Sequence, residues 1–139
     1  MKTKFFHLIM VFLIILSIHI FAVFYDLYSG EVLIDIPQHL LGGLFLAMIF
    51  VYTAQRHDYF SSKPSSFLFI FSVLSFALLG SFVWEIFEFL LWISLPDLSE
   101  QLKWYSPDIL DALSDMAAGL LGSVSFVVIT SIIKKRKKF

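Results

Sequence analysis

Glu85, Glu88, Asp111 and Asp115 lie within stretches dominated by Phe, Leu, Ile and Val, where a carboxylate has little water to solvate it. Their spacing is helical. Residues three, four and seven apart share one side of a helix, so Glu85 and Glu88 form a pair and Asp108, Asp111 and Asp115 a stripe. The stripe continues as Gly119 and Gly122, and Ala77 and Ser81 lead up to Glu85. Small residues let membrane helices approach closely, so these polar faces are expected to meet inside a bundle. Asp35 and His39 are four apart at the start of another apolar run, with Gly42 and Gly43 on the face of His39, and His19 stands in a further one. Carboxylates joined by one or two imidazoles suit a divalent metal ion such as Mg, Ca, Mn or Zn. The expected metal ligands are His39, Glu85, Asp111 and Asp115, with Glu88 as the catalytic general base and Asp35, Asp108 and His19 close by. Simpler roles stand beside these. Asp35 and Asp108 sit where helices would start, so they can cap or complement the helix dipole, and His19 can hydrogen-bond a neighbouring helix.

Hydropathy supplies the elements that must hold these groups. With 59% of its residues hydrophobic, 15% charged and a mean hydropathy of +0.88, a chain of 139 residues has too little charge to cover a soluble domain. Four apolar runs, at about 5–25, 36–54, 67–95 and 108–133, each approach or exceed the roughly 20 residues that cross a bilayer. The expected fold is all-α, a polytopic four-helix transmembrane bundle forming a single domain over residues 1–139. The first run follows Lys2 and Lys4 like a signal peptide, yet it is too long for an h-region and no small-x-small cleavage site follows. It reads as a retained helix. Residues 55–66 read as a loop, Pro96 ends the third run, and a second loop leads to Ser106 and Pro107, a cap and first-turn proline for the fourth. The chain has no cysteine, which excludes disulfides and thiol chemistry.

Basic residues set the expected orientation. With both termini in the cytoplasm, Lys2, Lys4, Arg56, Lys63 and the run Lys134, Lys135, Arg136, Lys137, Lys138 are all inside, leaving only Lys103 outside. Ten of the eleven acidic residues then fall in outer loops or outer half-spans, Asp58 being the exception. The basic tail reads as an anchor on anionic lipid, not as a nucleic-acid site. Trp84, Trp92, Trp104 and Tyr105 read as interfacial belt residues, with Trp84 also able to line a pocket.

Depth makes the acidic residues costly. At about 1.5 Å per residue, Glu85 lies roughly 15 Å, Asp115 roughly 11 Å and His19 roughly 9 Å below the outer helix ends. A carboxylate within a span costs at least about 2.5–3.5 kcal/mol, and Lys103 is the one basic residue on that side. Protons on some carboxyls, or a bound cation, must offset the cost.

The progression Asp35-x-x-x-His39-x-x-Gly42, Trp84-Glu85-x-x-Glu88 and Asp108-x-x-Asp111-x-x-x-Asp115-Met116, followed by Leu120-Leu121-Gly122, resembles the YjdF-type family of small bacterial inner-membrane proteins. More distantly it is similar to the VanZ-like proteins. It departs from the VanZ pattern in lacking the arginine before the last motif and in carrying Asp115 where asparagine is usual. The resemblance implies a multi-pass protein of the prokaryotic cytoplasmic (inner) membrane and supports the site residues; it names no reaction.

The leading expectation is an outward-facing carboxylate–histidine site that binds a divalent metal ion and acts on a membrane lipid or a lipid-linked cell-envelope precursor. A proton- or cation-coupled transporter or channel subunit is the second expectation, although the cytoplasmic half of every run is almost wholly apolar. A non-catalytic envelope accessory protein, held together by its polar site, is the third. Glycine-rich faces make a homodimer feasible.

Overall fold

The computed structural model describes residues 3–28, 34–57, 59, 65–103 and 108–136. Among these there are five helices and no strand: α1 (Phe5–Phe24), α2 (Asp35–His57), α3 (Ser66–Ser94), α4 (Pro96–Leu102) and α5 (Ile109–Arg136). Of these, α1, α2, α3 and α5 are long and apolar enough to cross a membrane, as the hydropathy pattern requires.

Helix ends have local causes. Lys4 N–H donates to His7 Nδ1 at 3.3 Å as α1 starts. It stops in a Schellman arrangement, with Asp26 at φ 51° and Leu27 N–H reaching back to the Ala22 carbonyl at 2.9 Å. Ser65 Oγ accepts from Leu68 N–H at 3.2 Å to start α3, and Asp108 Oδ1 accepts from Leu110 N–H at 2.9 Å to start α5.

The structure corrects two boundaries. Residues 55–57 continue α2 rather than beginning a loop, and Gln55 Oε1 there accepts the Thr3 N–H at 3.2 Å, tying the end of α2 to the start of α1. The segment after Pro96 is also helical at first: Pro96 sits in the first turn of α4, with Asp97 beside it at the positive end of the helix dipole. Ser106 and Pro107 lie outside the described residues, as do Lys2, Glu31, Asp58, Lys63, Pro64, Trp104, Tyr105, Lys137 and Lys138.

Because α1 and α3 run one way and α2 and α5 the other, the end of α3 and the starts of α2 and α5 share one end of the bundle. At the heart of the bundle is α2, which packs most extensively on α5 and also on α3 and α1. Its crossing with α5 is closed by glycine. A Cβ on Gly43 would overlap the Gly119 backbone, and one on Gly122 the Leu40 carbonyl. Away from that end, Leu8, Ala47, Met48, Val51, Val73 and Phe126 form the apolar core. The outer surface is apolar too: Leu13, Phe21, Phe71, Leu79, Val128 and Ile132 are among many large exposed side chains, a surface suited to hydrocarbon and not to water.

Candidate functional site

His39 stands one turn into α2, where carboxylates from three helices face both of its ring nitrogens. Its Nε2 lies 3.4 Å from Asp35 Oδ1, one turn earlier on α2, and 3.6 Å from Asp115 Oδ2 on α5. Its Nδ1 lies 3.9 Å from Glu85 Oε1 on α3. These separations exceed the usual 2.7–3.2 Å or so of a nitrogen–oxygen hydrogen bond. The groups are gathered without being directly bonded.

Two donor sets share the imidazole. Asp35, His39 and Asp115 form one, and His39, Glu85 and Glu88 the other, with the chosen ligand atoms of each set lying within 4.8 Å of one another. Ligand atoms gathered that closely can share one ion whose oxygen ligands sit at about 2.3–2.6 Å. Asp115 and Glu88 are 4% and 6% exposed, so they cannot borrow solvation from bulk water. Asp115 Oδ1 and Glu85 Oε1 are buried without a hydrogen-bond partner. Buried polar atoms are nearly always bonded, and two orphaned carboxylate oxygens beside one imidazole match the chemistry of a cation site.

The remaining expected residues divide. Asp111 is close enough to be felt electrostatically by Glu85 and Asp115, but it belongs to neither donor set. Asp108 is exposed and caps α5. His19 is turned toward a different partner: its Nδ1 is 2.7 Å from the Tyr28 hydroxyl, which also accepts from Gln38 Nε2. Because Gln38 occupies Tyr28 as an acceptor, the phenolic proton is the one available to His19 Nδ1. Burial, followed by the neighbouring charges of Asp35 and Glu88, pushes the Tyr28 phenol up from its ordinary value, so it keeps that proton at neutral pH. Trp84 lines the adjoining cavity one turn before Glu88.

Tyr28, Gln38 and Lys103 carry no motif that distinguishes them from interfacial residues, and folding alone brings them to the site. Lys103, at φ 54°, lines the cavity with Nζ 4.0 Å from Asp26 Oδ1. Gly42 differs from expectation: a Cβ there would meet no atom within 4 Å, so it borders the cavity instead of closing a helix crossing.

Over residues 2–136 the chain matches a family of predicted membrane proteins, DUF2238, and it belongs to that family. No curated protein and no solved structure matches it.

Proposed function

We propose that this membrane protein binds a divalent cation at the His39 cluster and uses it in chemistry on a membrane lipid or a lipid-linked envelope precursor. The observation that carries the reading is the convergence on one imidazole of half-exposed Asp35 and the more deeply enclosed Glu85, Glu88 and Asp115, with two carboxylate oxygens left unbonded. Uncompensated charges at such depth are costly, and a cation would offset them while supplying Lewis-acid polarisation of a phosphoryl or ester oxygen. His39, Asp35 and Asp115 would hold it, with Glu85 completing the set. Glu88, buried and lining the adjoining cavity, would act as general base. The distribution of basic residues favours the outer face of a cytoplasmic membrane for this end of the bundle, and the resemblance to YjdF-type proteins favours a prokaryotic one. A transport role finds less support, because the half of the bundle around Val51, Val73 and Phe126 is apolar and packed.

The test is elemental analysis of protein purified in detergent without chelator, wild type beside Asp115→Asn and Glu85→Gln. Near-stoichiometric divalent metal that disappears in the variants is the expected result. A metal-free wild type would overturn the reading.

A further inference from the structure

Sharing Asp35, His39 and Glu88 with the cluster, a cavity of about 340 Å³ opens between α1, α2 and α3. Its lining changes character along the helices. On α2 it runs from Asp35 to Leu46, eleven residues or about 16 Å, and on α1 from His19 to Phe12, about 10 Å. The end near the cluster is polar, with Tyr28 and Lys103, whereas the deep end is closed by Phe12 against Phe45, their ring centroids 6.1 Å apart. Both α1 and α3 pack on α2 yet make no extensive contact with each other. The cavity is therefore a groove, and its open side lies between two spanning helices, toward the bilayer interior.

A water-soluble ligand has no use for an apolar trench at that depth, while a lipid reaches it by diffusing sideways within its own leaflet. Charge selects the head. Among the described residues Lys103 is the one lysine or arginine in the lining, and the carboxylates that line it too repel an anion unless a cation stands among them. We infer that the groove holds one hydrocarbon chain of an anionic phospholipid, with its phosphate between Lys103 and the cation of the His39 cluster. The position of the phosphate rests on the proposed cation site; the seating of the chain does not.

Gly42 provides the test, because it borders the groove and a side chain added there meets no atom within 4 Å. Gly42→Leu therefore fills the groove while sparing the glycine crossing at Gly43, and Leu16→Trp fills it independently from α1. Wild type and both variants are incubated in mild detergent with equimolar phosphatidylglycerol and phosphatidylcholine. Retained lipid is counted by native mass spectrometry and metal by elemental analysis of the same samples. The expected result is one phosphatidylglycerol per wild-type chain and at least a tenfold loss in both variants with metal content unchanged. Lys103→Gln should remove the preference for phosphatidylglycerol, and glycerol phosphate, which lacks a chain, should not displace the lipid. Equal retention in wild type and both variants would overturn the inference. So would displacement by glycerol phosphate alone, or a second copy of this chain bound in place of lipid and released by Gly42→Leu. Groove-dependent retention by a metal-free wild type would sustain the chain's seat while removing the cation reading. Metal without groove-dependent retention would do the reverse.

Discussion

Gly43 of α2 and Gly119 of α5 meet backbone to backbone, so closely that a Cβ on the first would overlap the carbonyl of the second. His39 lies one turn before Gly43, and Asp115 one turn before Gly119. The same contact that closes the helix crossing therefore carries the imidazole to within 3.6 Å of a carboxylate on the neighbouring helix. Two side-chain-free positions set the geometry of the two chemical groups above them.

Gly43→Ala should consequently damage both stability and the site. The added methyl meets rigid backbone and forces α2 and α5 apart, at a cost of about 1–3 kcal/mol. Gly42→Ala, one residue away but facing open space, should be neutral or stabilise by up to about 1 kcal/mol through helix propensity. Thermal unfolding in detergent checks the contrast, and equal effects of the two substitutions would contradict the packing described.

His39→Ala removes the one imidazole shared by both donor sets. Bound divalent metal should be lost, and the melting temperature should fall because the surrounding carboxylates lose their partner. Metal binding competes with protons for its ligands, so wild-type occupancy should decline as the solution is acidified. Occupancy independent of pH would place any metal elsewhere.

Glu88→Gln separates chemistry from folding. The amide keeps the volume of the side chain, while a buried carboxyl that can take or give a proton disappears. Stability should be unchanged or slightly higher, whereas turnover of a lipid substrate should fall by about 10²–10⁴ if Glu88 is the base. Full turnover in a well-folded Glu88→Gln protein would remove it from that role.

Tyr28→Phe leaves Gln38 and His19 without the hydroxyl they share, an expected loss of about 1–3 kcal/mol. The Tyr28 phenol is pushed above its ordinary value of 10.0 in the folded protein, so the unfolded chain gives up this proton first as pH rises. Its stabilising contribution is therefore complete below that value and lost above it. Unfolding profiles of wild type and Tyr28→Phe should run parallel near neutrality and converge only in strong alkali.

Asp26→Gly sets relief of backbone strain against the loss of the side-chain contacts of Asp26, the one to Lys103 among them. Asp26 adopts the left-handed conformation that glycine tolerates best, while its contact with Lys103 at 4.0 Å is solvent-exposed. Relief of backbone strain is worth up to about 1–2 kcal/mol, and an exposed ion pair about 0–1 kcal/mol. A neutral or modestly stabilised variant is expected, and thermal unfolding reads the sign.

Hydropathy alone established four apolar helices, because hydrocarbon demands about 20 residues whose backbone groups are satisfied within the helix. The shared faces of Glu85 with Glu88, and of His39 with the glycines below it, were legible too, since helical periodicity is a local property. Even the helix after Pro96 left a trace, in a proline followed by an acidic residue. Partnership between faces was not local. The four-residue spacing of Asp35 and His39 was legible, but the sequence allowed Asp111 as well as Asp115 beside that imidazole, and only the glycine crossing, which sets how α2 and α5 are rotated and spaced, brought Asp115 into a donor set and left Asp111 outside both. His19 shares the expected depth of the carboxylates, yet the turn after α1 brings Tyr28 back over it and gives it a phenol for a partner. The order of residues determined which groups are buried in the membrane; the close approach of backbones, a property of the assembled bundle, decided which of them meet.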